Sequence, residues 1–177
     1  MHGLIDTFIG YSIVILQVFA VVVLLCTLCE KYFPNPLPNI IRKNSICIGF
    51  ILSLCAVLGS LYYSEIRDLA PCLFCWWQRV FIYPQVILFG VALYTREIRT
   101  AHIASIILSI IGMCIAIMHV LAQAGIRSSG LPCAATGVSC TNIDLILLGY
   151  ITIPIMSLTL YLLMTIVQIM GLRNNTK

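Results

Sequence analysis

Five long apolar runs dominate this sequence, and each has about the length needed to cross a lipid bilayer. A helix needs about 20 residues to span a hydrocarbon core about 30 Å thick. A spanning segment has to satisfy its backbone hydrogen bonds internally, so we expect each run to be helical. The sequence therefore predicts an all-α integral membrane bundle with five transmembrane helices, at approximately Phe8–Cys29, Ile46–Tyr63, Trp76–Tyr94, His102–Ala124 and Leu145–Met170.

The composition favours a membrane protein over a soluble domain. Of the 177 residues, 61% are hydrophobic and 9% are charged, and the mean hydropathy is +1.07. Soluble proteins are about half apolar and about a quarter charged. The net charge of +4 does not require a nucleic acid partner, because basic residues that flank the predicted spans account for most of it.

The distribution of basic residues predicts the orientation of the helices, because short cytoplasmic loops carry an excess of lysine and arginine. Seven of the ten basic residues fall on one side of the bundle and three on the other. We expect the richer side to be cytoplasmic, which places the N-terminus outside and the C-terminus inside. The outer set is Arg67, Arg79 and Arg127, and the inner set is Lys31, Arg42, Lys43, Arg96, Arg99, Arg173 and Lys177.

Two cysteine pairs lie in the two loops that this orientation places outside the cytoplasm. Two residues separate Cys72 from Cys75, and six separate Cys133 from Cys140. A Cys-x-x-Cys pair suits electron transfer, because its disulfide exchanges readily and its neighbours can acidify one thiol. The helix that begins after this pair should stabilise a thiolate, and we expect Cys75 to gain the most. A structural staple and a zinc site are the alternatives, although the six-residue spacing is longer than zinc sites usually have.

The other cysteines are expected to be structural. Cys26 and Cys29 have the redox spacing, but they lie at the inner end of the first span and face a reducing compartment in the predicted orientation. Cys47, Cys55 and Cys114 lie singly within apolar runs, where a buried thiol behaves as a small hydrophobic group.

Three polar residues of the spans are candidate site residues. Arg79 follows Cys75 by four positions, so on a helix the two share a face. A cation at this depth has to snorkel to the headgroups, pair with an acid or bind a ligand. His119 and Gln123 lie one helical turn apart near the outer end of the fourth span, where they either form hydrogen bonds within the packing or line a ligand site.

Five short motifs occur in order between residues 71 and 154, in the last three spans and the loops beside them. They are Pro71-Cys-Leu-Phe-Cys-Trp-Trp-Gln-Arg79, Tyr83-Pro84, His119-x-x-x-Gln123, Gly137-Val-Ser-Cys-Thr141 and Gly149-Tyr-Ile-Thr-Ile-Pro154. Together they resemble the disulfide bond formation proteins of the DsbB/BdbC family, and the BdbC branch in particular. The resemblance covers roughly Ile46–Met170.

The resemblance implies an enzyme of the bacterial cell (inner) membrane, a quinone-dependent protein-disulfide oxidoreductase. Such an enzyme reoxidises an extracytoplasmic thioredoxin-fold protein of the DsbA/BdbD type and passes the electrons to ubiquinone or menaquinone. It thereby supports disulfide bond formation in exported proteins. The expected cofactor is a quinone of the membrane pool, and the expected partner is the thioredoxin-fold thiol oxidase.

The resemblance also implies the route of the electrons. Redox-active disulfides would join Cys72 to Cys75 and Cys133 to Cys140. The partner would attack Cys133, and electrons would pass through a transient link between Cys140 and Cys72. By matching position, Cys75 would then reduce the quinone, which Arg79 would hold and His119 and Gln123 would line.

The first apolar run departs from the resemblance, because members of this family usually have four spans. No basic segment precedes the run and no convincing small-residue cleavage site follows it, so we expect an uncleaved helix. Residues 1–45 are therefore expected to form an extra N-terminal helix and a cytoplasmic loop. Residues 46–177 are expected to form the four-helix redox domain.

Several other functions fit parts of this pattern. A vitamin-K-epoxide-reductase-like enzyme or an electron conduit uses similar chemistry, but a conduit should carry paired cysteines inside the third or fourth span, where only Cys114 lies. A small transporter or scaffold with bracing disulfides is a third possibility, although no span carries an internal acid. A metal-binding membrane protein is the fourth.

Overall fold

The computed structural model describes residues 2–28, 37–126 and 139–174. These residues are almost entirely helical, and the only β-type pairing among them is one antiparallel bridge between Leu147 and Ile151. The prediction of an all-α bundle is confirmed. The helices are α1 (His2–Leu28), α2 (Leu37–Leu61, continued by a π-helical turn over Tyr62–Ile66), α3 (Leu73–Thr95), α4 (Ile98–Gln123) and α5 (Ile153–Asn174).

Helices α2 to α5 form a closed four-helix bundle, and α1 lies on its outside. Each of α2, α3 and α4 packs against the next helix, and α5 packs back against α2. Helix α1 contacts α5 and α2. Four segments are long and apolar enough to cross a membrane, namely Gly3–Thr27, Pro38–Ile66, Ile98–Gln123 and Ile153–Arg173.

Helix α3 is not among those four segments. Its polar side chains turn into the bundle, where Gln78 and Gln85 are buried. Ser105 of α4 donates a hydrogen bond to Gln85 Oε1 at 2.7 Å, and Gln85 Nε2 donates to Ser109 Oγ at 3.3 Å. Lipid offers no hydrogen-bond partners, so polar atoms at this depth are paired within the protein.

A close approach of α5 to α4 depends on Gly112. A Cβ atom at this position would lie 2.7 Å from the Tyr161 hydroxyl oxygen and closer still to its ring. The buried Tyr161 hydroxyl donates a hydrogen bond to the Gln78 carbonyl at 2.6 Å. The tyrosine therefore joins α5 to the first turns of α3.

Two of the predicted helix boundaries are wrong. Helix α2 begins at Leu37 rather than near Ile46, so residues 37–45 are helical and not part of a loop. The last helix begins at Ile153 rather than at Leu145. Leu148 and Gly149 have positive φ angles of 51° and 83°, which a helix cannot accommodate. Pro154 then lies in the first turn of α5, where its missing N–H costs no hydrogen bond.

The lone cysteines of the spans are not buried as expected. Cys47, Cys55 and Cys114 are free thiols exposed on the surface of the bundle. In a spanning helix the outward direction leads to lipid, which is as apolar as a protein core, so a cysteine fits either face. Cys26 is a half-buried free thiol, and Cys29 lies outside the described residues.

Candidate redox site

The Cys72–Cys75 pair lies at the start of α3. Cys72 is the N-cap residue, with an extended backbone, and Cys75 lies in the first helical turn. Both thiols are free, and their Sγ atoms lie 3.1 Å apart. The helix start thus holds two thiols in contact, at a separation from which a disulfide can form with little movement.

His119 of α4 reaches this pair from across the bundle. Its Nε2 lies 3.6 Å from Cys72 Sγ, and its Nδ1 lies 3.4 Å from Gln78 Nε2. The Gln78 amide nitrogen can only donate, so His119 Nδ1 accepts this hydrogen bond. In a neutral ring the proton is then on Nε2, next to the Cys72 sulfur. His119 is buried, and its ring packs against Phe74 with the ring centroids 5.5 Å apart.

Gln78 was not among the residues predicted for the site. It orients His119 through its side chain and holds Tyr161 through its carbonyl. Its position three residues after Cys75, in an apolar segment, was the available signal, because a polar residue facing a bundle interior needs a partner. The sequence did not show which residue that partner is.

The contacts of Cys72 favour its thiolate. The Cys75 thiol hydrogen-bonds to Cys72 and, together with His119, lowers the pKa of Cys72 to about 4, against the opposing effect of burial. The expectation that Cys75 would carry the more acidic thiol is therefore wrong. Cys72 occupies the N-cap and is the thiol that lies against His119, whereas the contact with Cys72 and burial raise the pKa of Cys75.

Cys140 of the second pair lies next to the first pair. It is disulfide-bonded and 1% exposed, and it belongs to one buried cluster with Cys72, around which Leu73, Phe74 and Cys75 pack. The chain after Cys140 is tied to α4, because Gln123 Nε2 donates a hydrogen bond to the Asn142 carbonyl at 3.1 Å. Cys133 lies outside the described residues.

Arg79 lies on the inner side of α3, one turn beyond Cys75. Its Nη2 donates a hydrogen bond to the Ser60 carbonyl at 3.2 Å, and the guanidinium lies 5.2 Å from the centroid of the Trp76 ring. A guanidinium has five N–H donors, so these contacts leave donors for a ligand. The half-buried position is compatible both with a ligand and with snorkelling.

A cavity of about 610 Å³ opens beside these residues. Its lining is mostly apolar and includes Cys75, Arg79, His119 and Gln123. Tyr63 also lines the cavity. Its hydroxyl is buried and has no hydrogen-bond partner within the part of the chain that the structure describes. An apolar cavity with a few polar donors fits a flat apolar ring that carries carbonyl acceptors, and a quinone is such a ring.

The same thiols and imidazole could also bind a metal ion. The ligand atoms of Cys72, Cys75 and His119 all lie within 4.8 Å of one another. Two sulfurs and one imidazole supply three of the four ligands that a tetrahedral zinc site uses. A disulfide between the two sulfurs would remove both as thiolate ligands, so metal binding and disulfide formation exclude each other.

Comparison with protein-family models decides the family. The model described as "Disulfide bond formation protein DsbB" matches residues 42–171. The chain belongs to the DsbB family. The matched range contains Cys72, Cys75, His119 and Cys140, and it leaves out α1. Membership in the DsbB family makes this chain a membrane disulfide oxidoreductase.

Individual relatives agree with the DsbB-family assignment. "Disulfide bond formation protein C" of Bacillus subtilis is 38% identical over 127 residues, which are 70% of this chain and 91% of the relative. "Probable disulfide formation protein" of Metapseudomonas resinovorans is 30% identical over 143 residues, 80% of this chain and 99% of the relative. The "SPbeta prophage-derived disulfide bond formation protein B" of Bacillus subtilis is 36% identical over 115 residues, 65% of this chain and 76% of the relative. No solved structure matches.

Proposed function

We propose that this DsbB-family chain reoxidises an extracytoplasmic thioredoxin-fold protein of the DsbA/BdbD type and passes the electrons to a membrane quinone. The observation that carries the proposal is the placement of Cys140 and the Cys72–Cys75 pair in one cluster, beside an apolar cavity that Arg79 and Cys75 line. In the overall reaction the partner's dithiol becomes a disulfide, and the quinone takes up two electrons and two protons and leaves as quinol.

The two cysteine pairs would act in sequence. A partner thiolate attacks Cys133 of a Cys133–Cys140 disulfide, forms a mixed disulfide and releases Cys140 as a thiolate. Cys140 attacks Cys72 of the oxidised Cys72–Cys75 pair, and Cys75 leaves. The partner's second thiol then displaces Cys133, which in turn displaces Cys72 from Cys140. The partner is left oxidised, and Cys72 and Cys75 are left reduced.

The residues around the cavity would bind and orient the electron acceptor. Arg79 offers N–H donors to its carbonyl oxygens, while Tyr63, His119 and Gln123 line the same space. The apolar walls exclude water from the thiols, and a lipid-soluble acceptor can approach from the membrane. Ubiquinone and menaquinone both meet these requirements.

The proposed orientation places this site outside the cytoplasm, with the N-terminus outside and the C-terminus inside. The start of α3, the last turn of α4 and the segment around Cys140 meet at one end of the bundle. Disulfides persist on the extracytoplasmic side of a membrane. The ends of the helices at the opposite end carry basic residues, as a cytoplasmic face does; they are Arg42, Lys43, Arg96, Arg99 and Arg173.

The first experiment measures quinol formation by the purified protein in detergent, with a reduced DsbA-type protein and either decylubiquinone or menadione. We expect turnover by the wild type, and its loss in Cys75→Ser and Cys133→Ser, because each lacks a thiol that the relay needs. Cys114→Ser is the matched control, since Cys114 is a free, exposed thiol that does not line the cavity. The proposal is overturned if the wild type forms no quinol with either compound, or if Cys75→Ser matches the wild type.

The second prediction concerns Arg79. Replacing it with glutamine should raise the KM for the quinone about tenfold with a smaller change in kcat, because a hydrogen bond to a charged group contributes about 1.5–3 kcal/mol. Arg79→Lys keeps the charge, so its KM for the quinone should lie between those of Arg79→Gln and the wild type. An unchanged KM in Arg79→Gln would show that the arginine only snorkels, and Val80→Ala, on the exposed side of α3, serves as the control.

Metal binding is the second candidate function, because Cys72, Cys75 and His119 form a cluster of possible ligands. Metal analysis of the reduced protein, purified without oxygen, distinguishes a metal site from the redox relay. One zinc ion per chain that is lost in His119→Ala, together with no quinol formation by the wild type, would favour the metal site. Quinol formation by metal-free protein would favour the redox relay.

A further inference from the structure

Helix α1 contributes one wall of the cavity beside the redox site. Four of its lining residues, Ile9, Ser12, Ile13 and Leu16, recur at the spacing of one helix face. The same cavity is lined by residues of α3 and α4 that include Cys75, Arg79 and His119. This helix is outside the range that matches the DsbB family, so the cavity of this chain includes a wall from outside that range.

The outer end of α1 is fixed to the segment that leads to Cys72. Asp6 Oδ2 lies 3.1 Å from Arg67 Nη2, and Tyr62 donates a hydrogen bond to Asp6 Oδ1 at 3.5 Å. The Asp6 side chain is only 10% exposed. The Arg67 side chain is 29% exposed, so the ion pair is partly buried, and together with the Tyr62 hydrogen bond it holds α1 against that segment.

A second set of contacts fixes α1 below the cavity. Gln17 accepts a hydrogen bond from the Tyr150 hydroxyl at 2.7 Å and donates one to Thr159 Oγ1 at 3.1 Å. Ala20 and Val23 are buried in a cluster with residues of α2 and α5. The lining face therefore lies between two anchored regions of α1, and polar contacts that are specific in geometry determine its position.

We propose that α1 is a wall of the quinone site, and that the Asp6–Arg67 pair holds it where its lining face limits the space for the quinone and sets its affinity. The inference rests on the proposed function, because the occupant is the quinone that Cys75 would reduce. A helix that served only as packing would fill its contact with the bundle. Here the contact face of α1 encloses a cavity onto which Cys75 and Arg79 open.

The decisive experiment measures binding without turnover. In a Cys75→Ser background, decylubiquinone and menadione are titrated against the fluorescence of Trp76 and Trp77, which lie at the start of α3. Ser12→Phe should raise Kd about tenfold, because the added ring occupies part of the cavity that the quinone would fill, and a tenfold change corresponds to about 1.4 kcal/mol. The Ser12 hydroxyl donates to the Phe8 carbonyl of its own helix, so its removal breaks no contact between helices.

Val18→Phe is the matched control, because Val18 is an exposed residue of α1 that does not line the cavity. Its Kd should equal that of the parent protein. Asp6→Ala should also raise Kd, and the reversed pair Asp6→Arg with Arg67→Asp should restore it, as a role in positioning α1 requires. Thermal unfolding of each variant separates loss of binding from loss of fold.

The outcomes separate the two proposals. One outcome would overturn only the proposed role of α1. In it the wild type forms quinol and the Cys75→Ser parent binds the quinones, yet Ser12→Phe and Val18→Phe bind them with the same Kd. The proposed function would then stand. If the wild type forms no quinol and the parent protein binds neither quinone, both are overturned. A higher Kd in Ser12→Phe and Asp6→Ala, with recovery in the reversed pair, supports the proposal that α1 is a wall of the quinone site.

Discussion

Cys72 of the reduced protein is expected to remain a thiolate down to a pH of about 4. An ordinary cysteine loses its proton only near pH 8.5. The difference arises because the Cys75 thiol hydrogen-bonds to the sulfur and His119 lies against it, and together these contacts outweigh the effect of burial. The measurement is the ultraviolet absorbance of the thiolate during a pH titration of the reduced protein, with Cys72→Ser as the reference for the other cysteines.

Variants of the two contacts should shift this titration in a defined order. Cys75→Ala removes the largest contribution and should raise the pKa of Cys72 more than His119→Leu does. Cys75→Ser keeps a hydroxyl donor at the same place, so it should raise the pKa of Cys72 less than Cys75→Ala does. A wild-type midpoint at the ordinary thiol value, or an absence of any shift in both Cys75→Ala and His119→Leu, would contradict this account of the site.

The same contacts predict the direction of the redox potential. A lowered thiol pKa stabilises the reduced pair at every pH between about 4 and the ordinary thiol value, and the effect is lost as the pH falls through about 4. Stabilising the reduced form makes the disulfide a stronger oxidant. His119→Leu should therefore make the Cys72–Cys75 disulfide less oxidising at neutral pH, which equilibration against a glutathione buffer would measure.

Gly112→Ala is expected to cause the largest loss of stability among single methyl additions to the bundle interior near the site. The added Cβ would overlap the Tyr161 ring, which is buried and has no room to move away. Overpacking of this kind costs about 1–3 kcal/mol. Displacement of Tyr161 would also break its hydrogen bond to the Gln78 carbonyl and disturb the residue that orients His119. Thermal unfolding in detergent and quinol formation should both decline.

Gly90→Ala provides the control for that substitution. A Cβ at Gly90 would meet Phe50 at 3.6 Å, an ordinary van der Waals distance. Because alanine is favoured over glycine within a helix by about 0.5–1 kcal/mol, this variant should be as stable as the wild type or slightly more stable. If Gly112→Ala behaved like Gly90→Ala, the close approach of α5 to α4 would not be a constraint on the fold.

The sequence was sufficient for the features that depend on local pattern. Apolar runs of membrane length predicted five helices, and the motif around Cys72 and Cys75 indicated the family, which the comparison confirmed. The resemblance implied that Arg79, His119 and Gln123 act together with Cys75, and in the structure these four residues line one cavity. Their roles toward a quinone remain predictions.

The features that the sequence did not predict depend on contacts between distant segments. Cys72 is the more acidic thiol because the Cys75 thiol hydrogen-bonds to it and because His119, 47 residues away on another helix, lies against it. The last helix starts late because Leu148 and Gly149 adopt positive φ angles, although an apolar run continues through them. The contact between Asp6 and Arg67 joins the first helix to the redox segment, and neither residue's local surroundings indicate it.

The burial of Cys72 and Cys140 has a consequence for side reactions. Cys72 is 5% exposed and Cys140 is 1% exposed. A thiolate of low pKa in open solution would be oxidised by peroxide to sulfenic acid and would exchange with soluble thiols. Here the packed cluster restricts the reactive sulfur to groups that can reach it through the protein or through the cavity. Peroxide and glutathione, which arrive from the aqueous phase, are expected to react slowly with the reduced site even though the contacts of Cys72 lower the pKa of its thiol.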